Sequence, residues 1–583
     1  MSDDHRNPND PIENLAIGTI IEVDGTHVVA ELDPRIAELS RVYGGNIYPI
    51  GQFGSIVKIH FGRRLIYGYV CRLRMKADYE REKGMAAAGS PTARIVEADL
   101  FGEGEWVLNS EVSPPHWEMR FHRGVATFPL PQQHVYLTPK SELRFIFGHG
   151  KGPTIEIGEH VGSGGTPCFA DMNELLGKHT AVLGSTGAGK SGTVAAIVHA
   201  LLERGVVAGY AKWHPRIVIL DPHNEYGNAF PSHVRLSTDE GTLNLPYWLL
   251  NLQETISLLI GKTEFVATSQ SNIVKTALLT ARRAAAPTVG LDADKLNVDS
   301  PTPYALDVLV TNINSQRPPG KDKKEQEPFN SVLNKLEVLR RDARMDFLMT
   351  PWDAVSDGFP QVMAQFLGDG DPVRIVDLSG VPNEVAGAAS SLIARSLFSM
   401  KLWQRPDERL SSPVLLVCEE AHRYVPNRGE AQYEAAQEAV RRLAKEGRKY
   451  GIGIMLVSQR PSEVEATVLS QCNSWIVLRI TNDADREHVR SILPDSLAGL
   501  TKMLSGLGRR EAIFVGQAAM LPSRILVRRL EDSQLPRSHD IDFDKGWQAN
   551  PLDDLALKEI ATRWRLQQRP IPTAGVAKQE APF

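Results

Sequence analysis

A glycine-rich turn, Gly184-Ser185-Thr186-Gly187-Ala188-Gly189-Lys190-Ser191, stands between a short apolar run, Thr180-Ala-Val-Leu, and a longer one opening at Val194-Ala-Ala-Ile. Its spacing, G-x-x-x-x-G-K-S, is that of a phosphate-binding loop. Gly184, Gly187 and Gly189 permit the backbone angles that turn successive N–H groups onto phosphate oxygens, those of Ser185, Thr186 and Ala188 among them. The helix that follows adds the positive end of its dipole. Lys190 is placed to reach the β- and γ-phosphates, and the Ser191 hydroxyl to complete the shell of a Mg²⁺ ion that keeps several waters. The chemistry this stretch predicts is binding of ATP or GTP.

Such a loop needs carboxylates at the end of a neighbouring strand. Val414-Leu-Leu-Val-Cys-Glu419-Glu420-Ala-His422 supplies two. Glu419 is expected to hold Mg²⁺ through water, and Glu420 to polarise the attacking water. A second strand ends in Asp221-Pro-His-Asn-Glu225-Tyr, so Glu225 competes for the base; the alternative is a plain turn or cap. Gln459, directly after the strand Ile452–Ser458, is either a γ-phosphate sensor or a polar strand end. The charged helix read over 430–446 is followed by Gly447, Arg448 and Lys449. An arginine at such a corner can reach the γ-phosphate of a neighbouring subunit, or it can simply satisfy a helix C-terminus. Arg448 and, in reserve, Arg442 are the candidates.

The elements that must position these groups are of two kinds. Residues 14–150 carry many short strands, among them Gly18-Thr-Ile-Ile-Glu-Val and His27-Val-Val-Ala-Glu-Leu around an Asp24-Gly25 type I′ turn, and predict a small β-barrel. Residues 76–90 read as a charged loop. The barrel suits a structural or oligomerisation module as well as a ligand-binding one. Beyond about 155 the buried-type strands Ile217–Asp221, Val373–Asp377, Val414–Cys418, Ile452–Ser458 and 474–479 alternate with helical stretches, which predicts a mostly parallel sheet. Runs near 512–516 and 524–527 extend its edge. The expectation is an α/β protein: a disordered tip over 1–13, the barrel over 14–150, and a RecA-like P-loop core in two parts, 151–239 and 361–530. A helical insertion over 240–360, broken by a solvated loop at 317–328, separates the two parts. An extension over 531–583 holds a docking helix capped by Asn550, with Leu552, Ala556, Ile560 and Trp564 on one face.

Composition sets bounds on function. No apolar run approaches the roughly 18 residues of a membrane span, and the polar N-terminus lacks a secretory core. Four cysteines without C-x-x-C spacing argue against a disulfide framework or a zinc site and suit a reducing cytoplasm. With 65 basic and 70 acidic side chains the net charge is −5, so any contact with nucleic acid must be focal, as in a channel.

Several motifs together resemble the HerA family of hexameric DNA-translocating ATPases, relatives of FtsK. They are the extended loop Asp171-Met-Asn-Glu through Ser191, the Asp221–Tyr226 turn, Leu245-Pro-Tyr-Trp-Leu-Leu-Asn-Leu, the Glu419-Glu420-Ala-His box, Glu446-Gly-Arg-Lys-Tyr-Gly and Ser458-Gln-Arg-Pro. The β region looks like the family's HAS barrel. Two residues depart from the pattern: Glu419 where many P-loop ATPases carry Asp, and Asn224 where the family often has Gly. The resemblance implies a homohexameric ring with ATP between subunits, double-stranded DNA in its pore, and Arg448 as the trans-acting finger. It also implies a partner docking through the barrel, a nuclease such as NurA or a sirtuin-like effector in DNA end processing or anti-phage defence. Three functions compete: a helicase or translocase motor, a ring scaffold that switches a partner enzyme, and a secretion ATPase, which the lack of membrane segments disfavours.

Overall fold

The computed structural model describes residues 7–36, 38–85, 92–110, 115–148, 152–161, 165–260, 268–320, 322–381, 383–427, 434–493, 501–537, 543–548 and 550–566. Several expected elements lie partly outside them, among them 1–6 of the tip, 86–90 of the charged loop, 261–267 of the insertion, 321 of its solvated loop, 430–433 of the charged helix, and 538–542, 549 and 567–583 of the extension. Two compact units emerge, one of Met1–Leu175, Leu183–Gly189 and Asn473–Arg529, the other of Leu176–Val182, Lys190–Cys472 and Leu530–Phe583.

In the first unit six strands close into a barrel. Around it run His27–Leu32, Ala16–Asp24, His134–Leu137, Ile56–Phe61, Arg64–Met75 and Arg94–Asn109, the last pairing back to the first. Every neighbouring pair around the barrel is antiparallel. Alternation points Ile17, Ile20, Val28, Ala30, Ile59, Ile66, Val70, Val96 and Ala98 into one buried core. The first hairpin closes on Gly25-Thr26 rather than Asp24-Gly25, with Gly25 at φ 58°. Lys76–Glu82, read as part of a loop, is a helix whose Tyr79 buries against Val29 and Ile95. A second antiparallel series runs Pro167–Asp171, Thr154–His160, Ser523–Val527, Glu511–Gly516, Ser474–Leu478.

In the second unit the strand order is Thr180–Leu183, Ile452–Ser458, Val414–Cys418, Ile217–Asp221, Val373–Asp377, His233–Ser237. The pairs from Ile452–Ser458 outward are parallel. Every residue of the four middle strands is buried, which is why they read as continuous apolar runs. Parallel order brings the C-terminal ends of these strands to one edge, where ligands of open α/β sheets bind. Lys190–Val207 and Asn383–Trp403 are the long helices of this core.

Along the chain, Thr268–Ala285, Leu306–Ser315 and Lys323–Arg341 lie between the strands His233–Ser237 and Val373–Asp377. Arg282, fully buried there, donates to the carbonyls of Trp248 and Leu250. Lys323–Arg341 begins inside the stretch read as loop, because Asp322 caps the Lys324 N–H at 2.9 Å and Pro328 falls in the second turn, where it removes a single hydrogen bond. The C-terminal helix is Asp554–Leu566, not one begun at Asn550; Asp553 Oδ1 accepts from the Ala556 N–H at 2.8 Å. Leu552, Ile560 and Trp564 are exposed. Among the described residues no helix is long and apolar enough to cross a membrane.

Among the described residues the most deeply buried ion pair ties a barrel strand to the helix Lys140–Ile146. Lys58 Nζ donates to Glu142 Oε2 at 2.7 Å, and the Tyr67 hydroxyl donates to Glu142 Oε1 at 2.5 Å. Removing the cation leaves a buried carboxylate with no counter-charge, a loss of about 3–5 kcal/mol. Lys58→Met is therefore expected to lower the barrel's melting temperature sharply. Lys58→Met combined with Glu142→Gln, which keeps an acceptor for Tyr67, should restore most of it. Equal losses in the single and double variants, read by differential scanning calorimetry, would contradict the pairing.

Candidate nucleotide-binding and hydrolysis site

Within the first unit the loop 183–189 is shaped by its glycines and by Ser185. Gly187 (φ 73°) and Gly189 (φ 105°) are left-handed, a region open to glycine without strain. Gly184 is needed for space instead: a Cβ there would stand 2.9 Å from that of Leu478. Ser185 N–H donates to the Arg479 carbonyl at 2.8 Å, and its Oγ accepts from Thr481 N–H at 3.1 Å. Ser185 thus ties the loop to the segment 479–481. Ala188 N–H turns back to the Ser185 carbonyl at 3.2 Å.

In the second unit Lys190 and Ser191 open the helix Lys190–Val207. Lys190 is buried, and burial pulls its ammonium below the ordinary lysine range against the opposing pull of Glu420, Glu419 and Glu225. Ser191 Oγ donates to Glu225 Oε2 at 2.6 Å. Asp221 builds the turn that carries Glu225: its carboxylate accepts from the N–H groups of His223 (3.2 Å) and Tyr226 (3.0 Å). Asn224 sits at φ 56°, so a residue that tolerates the left-handed region fills the place where the family often has glycine.

Glu419 and Glu420 follow the strand Val414–Cys418, and their environments differ. Glu419 is enclosed; burial pushes its carboxyl up to about 8, with Asp221, Glu420 and Glu225 adding to the rise, while a hydrogen bond from the Tyr226 hydroxyl opposes it. Glu420 adopts φ 52°, ψ 51°, a strained conformation for a non-glycine residue and one that occurs at functional sites. Its Oε2 is buried without a hydrogen bond, although His422 Nδ1 lies 3.3 Å away off-axis. His223 Nε2 stands 3.9 Å from the other oxygen, and His422 Nδ1 is also 3.3 Å from Ser458 Oγ. Oxygen donors crowded together with uncompensated negative charge fit a hard divalent cation.

Gln459 is half-buried directly after the strand that ends at Ser458. Arg448 is exposed on the turn Gly447–Tyr450, and among the described residues it makes no ion pair. Arg442 is engaged: its guanidinium lies 4.5 Å over the Phe398 ring, with Glu446 at 3.8 Å. The turn bearing Arg448 is fixed by His179 (φ 58°), whose Nδ1 accepts from Ile454 N–H at 3.1 Å. Its Nε2–H therefore donates to the Ala444 carbonyl at 3.0 Å. One buried imidazole so joins the start of the P-loop strand to the helix and strand flanking Arg448. His179, Tyr226 and His422 were not singled out from sequence; His179 and Tyr226 act through contacts remote in the chain, and His422 pairs its neighbour Glu420 with the distant Ser458, so spacing carries no signal for these meetings.

The raised carboxyl of Glu419 has a measurable consequence. It binds its proton more tightly folded than unfolded, so it favours folding while protonated. That contribution is lost as pH rises from its ordinary 4.5 through about 8. Glu419→Gln, neutral throughout, is expected to flatten the dependence of the urea midpoint on pH across this window in nucleotide-free protein and to be the more stable form at pH 8. Parallel curves for the two proteins would refute the burial of this charge.

The family model described as helicase HerA, central domain, matches residues 155–397. The probable helicase MJECL08 of Methanocaldococcus jannaschii is 27% identical over 421 residues, covering 68% of this chain and 74% of its own. The DNA double-strand break repair helicase HerA of Pyrococcus furiosus is 26% identical over 438 residues, covering 69% and 73%. Among solved structures, VirB4 of Thermoanaerobacter pseudethanolicus aligns with 66% of this chain and 99% of its own at 17% identity and a TM-score of 0.47. The span matched by the family model contains both the phosphate loop and the Asp221–Tyr226 turn, so the likeness falls on the residues that carry the chemistry: over this span the chain is similar to the HerA helicases, and it is an ATP-hydrolysing enzyme with a P-loop.

Proposed function

We propose that this enzyme is a translocase on double-stranded DNA, working in the cytoplasm as a homohexameric ring with ATP bound between subunits. The observation that carries the reading is the convergence of Lys190, Ser191, Glu225, Glu419 and Glu420 at one end of the parallel strands. The relatives named as double-strand break repair helicases support DNA as the track. Ser191 and, through water, Glu419 would hold Mg²⁺, which would supply neutralisation of the phosphate charge. Glu420, its Oε2 free of a hydrogen bond, orients the attacking water and takes its proton. Glu225 holds the Ser191 hydroxyl until the cation arrives. Gln459 reports the γ-phosphate at the strand end. Arg448, exposed where Arg442 is stacked, enters the neighbouring subunit's site. The barrel is the docking surface for a nuclease or sirtuin-like effector, in DNA end processing or anti-phage defence. A second reading, a scaffold ring that switches such an effector without processive movement, rests on the same barrel and exposed C-terminal helix. DNA-stimulated ATP turnover with directional displacement of a blocking complex separates the two; turnover indifferent to DNA favours the scaffold.

Lys190→Ala is expected to abolish hydrolysis with the barrel still folded, and retained turnover would overturn the site. Glu420→Gln should bind ATP and hold it unhydrolysed, whereas Glu225→Gln should be milder; the reverse order would move the base to Glu225. Arg448→Ala should bind ATP nearly normally and lose roughly 10³–10⁵ in rate, as trans-acting fingers do. Mixed rings of Arg448→Ala and Lys190→Ala subunits should recover part of the activity, since some interfaces then pair an intact Lys190 with an intact Arg448. Mixed rings shown by native mass spectrometry that stay inactive would count against Arg448 and turn the test to Arg442.

A further inference from the structure

The barrel carries a group of side chains that ATP hydrolysis does not use. His27 opens the strand His27–Leu32 and pairs directly with Asp99. Asp99 pairs on its other side with Tyr69, and the register then shifts between Val70 and Arg72, leaving Cys71 as the extra residue of a bulge. A bulge of this kind re-aims a side chain. Here the Cys71 sulfur joins a nitrogen of His27 and a carboxylate oxygen of Asp99, all within 4.8 Å of one another. His27 Nδ1 is 2.8 Å from Asp99 Oδ1, while Nε2 faces Glu97 Oε2 at 3.5 Å. Arg74 Nε lies 2.6 Å from the other oxygen of Glu97 and holds it in place.

We infer that His27, Cys71 and Asp99 form a zinc-binding site on the barrel, with Glu97 orienting the imidazole from behind and water completing the shell. Zinc takes nitrogen, sulfur and oxygen donors in tetrahedral array at about 2.0–2.3 Å. Donors around such an ion stand about 3.3–3.8 Å apart, so the observed spacing needs small side-chain rotations only. A thiolate selects zinc over magnesium or calcium. With Nδ1 on the metal, the Nε2–H points at Glu97, the carboxylate–histidine–metal relay that fixes the tautomer of zinc ligands. All three donors sit on adjacent strands of a closed barrel, so their backbones are preset, and each is partly exposed, so the ion has a way in. The competing account is an ion pair between His27 and Asp99 with a thiol beside it.

Zinc takes an imidazole nitrogen and a cysteine sulfur without their protons. Binding is therefore expected to release protons and to tighten as pH rises.

The test uses the full chain, stripped with chelator and titrated with Co²⁺. One ion per chain should bind with a thiolate-to-cobalt charge-transfer band, displaced by Zn²⁺. The oxygen-only donors around Ser191 cannot give that band, and Cys168, Cys418 and Cys472 are buried. Cys71→Ser should abolish it, Asp99→Asn should weaken binding, and Glu97→Gln should weaken it roughly tenfold, all with ATP turnover retained as the sign of a folded protein. Zn²⁺ should also protect Cys71 from a thiol reagent. Absence of the band, its survival in Cys71→Ser, or a Cys71 reactivity indifferent to Zn²⁺ would each reduce the trio to a hydrogen-bonded surface cluster and overturn the site.

Discussion

A single buried ammonium set among carboxylates governs the ATPase unit. Lys190 is drawn into a sheltered position where Glu420, Glu419 and Glu225 supply the negative field that keeps it charged. Burial first of all disfavours Asp221 and Glu419 as anions, with Asp377 adding to the effect at Asp221, and Asp221, Glu420 and Glu225 at Glu419. No arrangement of these side chains alone satisfies all of them, because four acids face one base. The parallel sheet can impose the arrangement since its middle strands are buried on both faces and their ends cannot drift apart without opening the core.

Much of this was legible in the sequence, and for an identifiable reason. The phosphate loop and the Glu419-Glu420 pair are local: strand, turn and ligand-facing residues lie within a few positions of one another, so spacing encodes geometry. The same holds for the buried strands, whose continuous apolar runs have no amphipathic alternative. The helix Lys323–Arg341 was placed late because Pro328 and a run of charges resemble a breaker, while the deciding contact is the Asp322 cap. The start of the C-terminal helix went to Asn550 on cap chemistry that Asp553 supplies equally well.

Other features are unreadable in principle from one chain. Tyr226 and Glu419 are separated by 193 positions, and His179 and Ala444 by 265, so their meeting depends on strand order. The barrel's His27, Cys71 and Asp99 are likewise joined only by register, and the bulge that brings Cys71 round has no sequence mark. The absence of C-x-x-C spacing speaks to local metal loops and is silent about donors gathered across strands.

The hydrogen bond from Ser191 to Glu225 bears on which form of nucleotide the enzyme admits. In the resting geometry the hydroxyl that would face a cation is already held by an acid, and the acids beyond it repel a polyanion. On the proposed reading, bare ATP would meet a barrier of like charge, and a cation held by Ser191 would compete with Glu225 for the hydroxyl. The pocket would then discriminate between complexed and bare nucleotide, and occupancy would follow the concentration of the complex rather than of ATP itself.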